Sequence, residues 1–324
     1  MYDRRRIERK KQAQRKRVAL YLIVPWIVLI LNIFLLLRMR NQLNVVDREL
    51  QRINAVLFQE TYTIQDESGP IGVIGGVESD YVNLHGMDSV QAPKERSSRE
   101  VTERLAELAE DSDVILEIYM QRQYYPEKML EALVNNPEMA DFVSGYLTAE
   151  KTAVGGLTEY EKLQDHPLFL QWDPRWGYVP YGDDSCVGLA GCGPTCLSMA
   201  LYYLTGNERL TPDKVASYSM ENGYYVSGTG TAWALLEEMP SLYGVTVGTV
   251  EISETAMKAK LDQGQILIVS LGTGDFTVNG HFVVVYGYDE GGFLINDPNC
   301  VARSRRAWSY SRLERQIKSI WSFA

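Results

Sequence analysis

The chain reads as an α+β protein in which short helices come first and an antiparallel sheet follows, all placed behind an N-terminal membrane segment. Three observations predict this. An uncharged run of twenty residues, 18–37, follows a dense basic block. Residues 97–150 carry apolar residues at helical spacing, interrupted by prolines and paired asparagines. From Pro167 onward aromatic, glycine and β-branched residues rise, and two β-branched runs flank an Asp289-Glu290-Gly291-Gly292 turn.

The N-terminus is unlike the rest in charge. Residues 1–40 hold 11 Lys+Arg against 2 Asp+Glu, whereas the remaining 284 hold 21 against 40, inside a total of −10. A body this acidic excludes nucleic acid as a partner, because phosphate neutralisation needs basic clusters. Residues 1–17 form a basic tail, and 18–37 is long enough to cross a hydrocarbon core as a helix, with Pro25 and Asn32 tolerable inside it. The basic block precedes the span and only Arg38 and Arg40 follow closely, so the positive-inside rule keeps the N-terminus cytoplasmic and exports the remainder. The rival reading is a cleaved signal peptide, but its apolar region would be unusually long and no small-x-small cleavage site follows. The expectation is a single-pass anchor in a bacterial cytoplasmic membrane.

Leu36, Met39, Leu43, Val46, Leu50, Ile53 and Leu57 alternate spacings of three and four, a short heptad seam. Residues 38–60 therefore read as a helical stalk, with weak homodimerisation through 36–57 as the sharper alternative. Residues 61–96 are polar and glycine-rich and read as a linker containing an isolated His85. Helices are expected at 96–110, 113–123, 126–134 and 137–147, the last two opening on prolines. Residues 97–165 thus form a helical lead-in, either a packing layer on the final domain or a regulatory cover.

That final domain, 166–324, is expected to carry helices after Cys192, at 212–221, 231–239 and 254–262. Strands are expected at 245–250, 265–271, 281–288 and 293–296, the last two forming a hairpin. Within Gly188-Leu189-Ala190-Gly191-Cys192-Gly193-Pro194, proline suits a first helical position, and Leu197, Ala200, Leu201 and Leu204 mark one apolar helix face. Cys192 would then sit at a helix N-terminus, where free N–H groups favour a thiolate. The flanking glycines would let backbone approach a substrate. A buried structural cysteine is the plainer reading.

A cysteine nucleophile needs a base, and the base an orienting group. Of the three histidines, His166 has no pattern to place it, while His281 opens a strand that is apolar on both faces. Alone, His281 is as well explained as a satisfied core group. Sixteen residues on, Asp297 ends the partner strand, and antiparallel pairing brings the two ends together. Asp297 could fix the imidazole tautomer, or it could serve only the Asn296-Asp297-Pro298-Asn299 turn. Strand alternation aims Asn296 at the opposite face.

Four motifs then occur in order: Gln171 in Leu170-Gln171-Trp172-Asp173-Pro174-Arg175-Trp176, Gly191-Cys192-Gly193-Pro194-Thr195, Gly274-Asp275-Phe276-Thr277 leading to Gly280-His281-Phe282, and Asn296-Asp297-Pro298. Together they resemble the papain-like cysteine peptidases related to the bacteriocin-processing, double-glycine leader peptidases of family thirty-nine. The resemblance covers about residues 167–324. It implies a papain-like α+β fold, Cys192 as nucleophile, His281 as general base and acid, Asp297 as the orienting carboxylate and Gln171 as an oxyanion-hole donor. It implies a peptide or protein as substrate; no metal or cofactor is expected, since few histidines are available. Leader peptidases of this family are cytoplasmic domains fused to an exporter, whereas this domain is expected outside. Cell-wall peptides or exported proteins are therefore the expected substrates. Peptidoglycan amidase or transpeptidase chemistry on the same residues, and a catalytically silent peptide-binding scaffold, stand as alternatives.

Trp172 and Trp176 are expected in the core or groove wall. Cys196, one turn after Cys192, reads as a small buried hydrophobe. Cys186 and Cys300 occupy loops beside the proposed site and are expected to pair as a clamping disulfide. Cys192-x-x-x-Cys196 lacks zinc-finger spacing.

Overall fold

The computed structural model describes residues 91–324. The basic tail, the 18–37 span, the stalk with its seam at 36–57 and nearly all of the 61–96 linker lie outside them. Among the described residues no helix is long and apolar enough to cross a membrane.

The lead-in opens with four short helices, α1 (Ser98–Ala109), α2 (Asp113–Met120), α3 (Glu127–Asn135) and α4 (Ala140–Gly145), with 3-10 turns at Arg122–Tyr124 and Pro137–Met139. Ser97 and Glu100 form a capping box at the start of α1, each satisfying the other's free N–H. Val101, Leu105, Ile115, Ile118, Met129, Leu133, Phe142 and Val143 are buried together. That cluster does not close on itself. It continues into Leu170, Trp172, Tyr178, Cys186 and Val301 of the following domain. The lead-in is therefore a packing layer that shares a core with the domain behind it. Phe142 is the wedge between them: it is fully buried and stacks on Tyr178 with ring centroids 4.7 Å apart.

After α5 (Glu159–Leu163) the chain passes through α6 (Val187–Ala190), α7 (Cys192–Thr205) and α8 (Pro212–Glu221). Helix α7 ends on Gly206 in the left-handed conformation, a position that favours glycine. Strands β1 (Tyr225–Val226) and β2 (Gly230–Thr231) form a small hairpin, followed by α9 (Ala234–Glu238). The expected helix at 231–239 is shorter than its apolar pattern suggests. Thr231 is paired with Tyr225 in the hairpin, and its hydroxyl lies 2.7 Å from the Tyr181 hydroxyl.

A six-stranded antiparallel sheet completes the fold. It comprises β3 (Val247–Thr249), β4 (Ile266–Gly272), β5 (Gly280–Asp289), β6 (Gly292–Asn296), β7 (Ala307–Trp308) and β8 (Ile317–Phe323), with α10 (Glu254–Leu261) before β4. Two more four-residue helices, α11 (Val301–Ser304) and α12 (Tyr310–Leu313), flank β7. The strand order is β3-β8-β4-β5-β6-β7. All seven residues of β4 are buried, because both sheet faces are covered. Ile266, Ile268, Phe282, Val284 and Trp321 pack with the α7 residues Leu197, Ala200 and Leu201. Leu267, Val269, Val283, Val285 and Ile295 pack with Met257 and Leu313.

Strand β8 is not expected from the sequence. It lies between β3 and β4, with a register shift at Ser270/Leu271. The shift and the polar Lys318-Ser319 pair break the alternation that reveals a strand.

Replacing Phe142 by alanine is expected to lower stability by about 3–5 kcal/mol, the usual cost of emptying a fully buried aromatic site. Urea unfolding should show one cooperative transition for lead-in and sheet, moved as a whole. Two separable transitions would show that the layers do not share a core.

Candidate active site

The nucleophile candidate is placed by α7. The helix begins at Cys192, two residues earlier than proline placement suggests, so Pro194 occupies the third helical position. It still belongs to the first turn, whose N–H groups have no intrahelical partner. Cys192 is half-buried, while Cys186, Cys196 and Cys300 are buried. Cys196 lies fully inside the core against α7's neighbours, and burial pushes its thiol well above the ordinary range.

The glycines around Cys192 serve packing, which corrects the expectation of open substrate access. A Cβ on Gly188 would collide with the Phe142 ring, and one on Gly191 would lie 2.5 Å from the Val187 carbonyl. On Gly193 it would lie 2.8 Å from Thr231 Cβ.

The expected Cys186–Cys300 disulfide is absent, and all four cysteines are free thiols. Cys186 sits beside Lys151 and Tyr146 at the start of α6. Cys300 caps α11, accepting the Arg303 N–H at 3.4 Å, with its thiol directed at Glu138. The Cys300 sulfur is taken up by Arg303 and Glu138, and Cys192 has no competing disulfide partner.

His281 and Asp297 meet at the open end of the β5–β6 hairpin. The register pairs Val284 with Asn296, so alternation puts Asp297 on the face of His281 and Asn296 on the other. The Asn296 amide donates to the His166 and Pro167 carbonyls, holding the strap that leads into Gln171. His166 itself stacks between Tyr203 and Tyr286.

His281 Nε2 lies 2.7 Å from Asp297 Oδ1, with His281 7 % exposed and Asp297 at 0 %. Cys192 is the other side chain that acts on this imidazole, and with Nε2 taken by Asp297 the free ring nitrogen is Nδ1. Burial alone would lower the imidazole, but Asp297, followed by Cys192, outweighs it and raises His281 to about 9. Burial alone would raise the Asp297 carboxyl. Arg303 and then His281 prevail and hold it at about 2.

Arg303 is not singled out by the sequence. Its Nε donates to Asp297 Oδ2 at 2.5 Å, so each carboxylate oxygen faces a cation. The Asn299 N–H adds a bond to Oδ1 at 2.8 Å. A basic residue six positions after Asp297 is the only signal the sequence offers, and it is not distinctive.

Gln171 is 4 % exposed and joins the two sides of the site. Its backbone N–H donates to the Pro298 carbonyl at 2.7 Å, next to Asp297. Its side-chain Nε2 donates to the Gly188 carbonyl at 2.9 Å, in the helix just before Cys192. Trp172 and Trp176 are fully buried, as expected of core residues. Trp172 Nε1 also donates to the Asn299 carbonyl. Among the described residues no cluster of side chains could hold a metal ion.

Helices leading into an antiparallel sheet, with a cysteine at a helix start against a strand-borne His–Asp pair, describe a papain-like domain. Residues 163–322 match the Peptidase C39-like family, and they form a C39-like domain. A crystal structure from Bacillus anthracis, provisionally described as a C39-like peptidase, is 20% identical to this chain, covering 50% of it and 96% of that chain with a TM-score of 0.33. No curated protein sequence matches the chain.

The two shifted groups predict how stability varies with pH. His281 is raised from an ordinary 6.5, so its contribution is complete below that value and is lost as pH rises through about 9. Asp297 is depressed from 3.8, so its contribution is present above that value and is lost as pH falls toward about 2. Urea unfolding should show a loss on the order of 3 kcal/mol between pH 6.5 and 9.5. Asp297→Asn should flatten that slope. An unchanged slope would assign the pH dependence to another group.

Proposed function

We propose that this chain is a cysteine peptidase that hydrolyses peptide bonds with Cys192 as nucleophile, His281 as general base and acid, and Asp297 as the orienting carboxylate. The observation that carries this reading is the buried 2.7 Å His281–Asp297 bond, on an imidazole that Cys192 also acts on. The match to a peptidase family supports it and makes a peptide or protein the substrate class.

The chemistry follows from the arrangement. Asp297 fixes the imidazole with Nε2–H toward the carboxylate, so Nδ1 is the nitrogen that exchanges a proton with the thiol. The thiolate attacks the scissile carbonyl, forming a C–S bond and an oxyanion. The Cys192 backbone N–H lies in the first turn of α7, and the Gln171 amide has a second hydrogen beyond the one given to Gly188. These two donors are the proposed oxyanion hole. Collapse expels the amine, which takes its proton from His281, and water activated by the same imidazole releases the acyl group.

The N-terminal sequence extends the proposal to location. The basic block at 4–17 and the uncharged run at 18–37 support a signal anchor with the domain outside the membrane. Exported proteins or cell-wall peptides then remain the proposed substrates.

Cys192→Ala is expected to abolish hydrolysis of a casein or peptide-library substrate, while Gln171→Ala should lower kcat by about 10²–10³-fold. A Cys192→Ala chain with full activity would refute the mechanism. In sealed spheroplasts, a membrane-impermeant maleimide should label Cys192 without lysis. Labelling only after lysis would reverse the proposed orientation.

A further inference from the structure

The segment that carries Asp297 is held from outside the family-matched span, by residues of the lead-in. Asp297 is followed by a turn and by α11, which presents Arg303 to the carboxylate. Helix α11 is only four residues long, and its first N–H groups are buried with no partner inside the helix. Cys300 at the N-cap offers only a sulfur to the Arg303 N–H, a weak acceptor. The missing acceptor comes from Glu138. Its carboxylate takes the Val301 N–H at 2.8 Å and the Ala302 N–H at 2.9 Å, and it is 2 % exposed. Two residues earlier, the Asn136 amide donates to the Asn299 carbonyl. Both side chains belong to the turn between α3 and α4, about 160 residues from the groups they hold.

We propose that Glu138 is a positioning residue of the active site, fixing α11 so that Arg303 and Asp297 stay aimed at His281, and that the lead-in is consequently part of the catalytic unit. This rests on the proposed roles of Cys192, His281 and Asp297.

The titratable groups that act on one another form one chain. Cys192 and Asp297 face His281. Arg303 and His281 face Asp297, while Cys300, Arg303 and Asp297 face Glu138. Burial raises the Glu138 carboxyl, and the two backbone N–H bonds and Arg303 act against that. A carboxylate buried at such cost needs a specific compensation, and the free N–H groups of α11 provide it. If Glu138 is removed, α11 loses both acceptors, Arg303 is no longer held, and the Asp297 carboxylate can turn from the imidazole.

The test uses the full-length chain carrying Glu138→Ala or Glu138→Gln, with kcat, KM and the His281 titration followed by imidazole NMR. The chain has only three histidines, so His281 is assigned by its loss in His281→Ala. For Glu138→Ala, kcat should fall by roughly 10–100-fold with KM within about twofold, as expected when a catalytic group is misplaced rather than removed. The His281 midpoint should fall from about 9 toward 6.5. Glu138→Gln keeps the length and one acceptor oxygen but sets an N–H₂ against the second helix N–H, so both readouts should be intermediate. If Glu138→Ala does not fold, Glu138→Gln decides. Folded variants that keep the wild-type kcat and His281 midpoint would reduce Glu138 to a packing residue and overturn the proposal. Full activity in Cys192→Ala would instead defeat the underlying mechanism, and the NMR midpoint would still report on Glu138.

Discussion

The candidate site depends on keeping one fully buried carboxylate ionised. Removing Asp297 from water costs several kcal/mol unless its charge is met on all sides. The structure meets it with His281 on one oxygen, Arg303 on the other and the Asn299 N–H as a third donor. Neither cation alone would suffice. On the proposed mechanism His281 would change charge whenever it exchanged a proton with the thiol, so a carboxylate that relied on it alone would be left uncompensated at each transfer. Arg303 does not titrate at any working pH, and it holds the carboxylate ionised while the imidazole alternates.

That requirement explains why so much of the chain converges on residues 297–304. The Asp297 N–H is taken by the Ser304 hydroxyl, the Pro298 carbonyl by the Gln171 N–H and the Asn299 carbonyl by Trp172 and Asn136. These partners come from separate parts of the chain. The strap bearing Gln171 and Trp172 contributes twice. Through the Gln171 amide it also reaches the Gly188 carbonyl, so the cysteine side and the histidine side are positioned by a common segment. In the same strap, Asp173 and Glu161 share the buried Arg175 guanidinium, tying it to α5. Rigid placement of this kind is what orientation-dependent catalysis demands.

What could be read in the sequence was what repeats locally. Helix 212–221 appeared with its bounds because a proline opens it at the first helical position. The approach of His281 and Asp297 was legible because strand alternation has a period of two and the hairpin turn is explicit, which also sent Asn296 to the other face. Three features were not legible. Strand β8 breaks alternation at Lys318-Ser319 and bulges against β4. The glycines near Cys192 match a substrate-access pattern as well as a packing one, and only the positions of Phe142 and Thr231 separate the two. Cys186 and Cys300 are near the site in sequence terms, but both are free thiols, and the Cys300 sulfur is taken up by Arg303 and Glu138. Arg303 left only an undistinguished basic residue six positions after Asp297, and Glu138 left no trace, because a pairing across about 160 residues has no local period.

The distribution of exposure within the site then constrains how a substrate can meet it. His281 and Asp297 are sealed, whereas Cys192 is only half-buried and is the one member of the trio open to solvent. On the proposed mechanism a carbonyl would meet the sulfur over the first turn of α7, where Gly193 abuts Thr231 of the small hairpin. The Thr231 hydroxyl is itself held by Tyr181, which is bonded in turn to Ser219 near the end of α8. Those bonds fix Thr231 on that side of α7. On the proposed mechanism the half-buried sulfur is the group a substrate would touch, while the buried His281–Asp297–Arg303 side would set its reactivity without meeting the substrate.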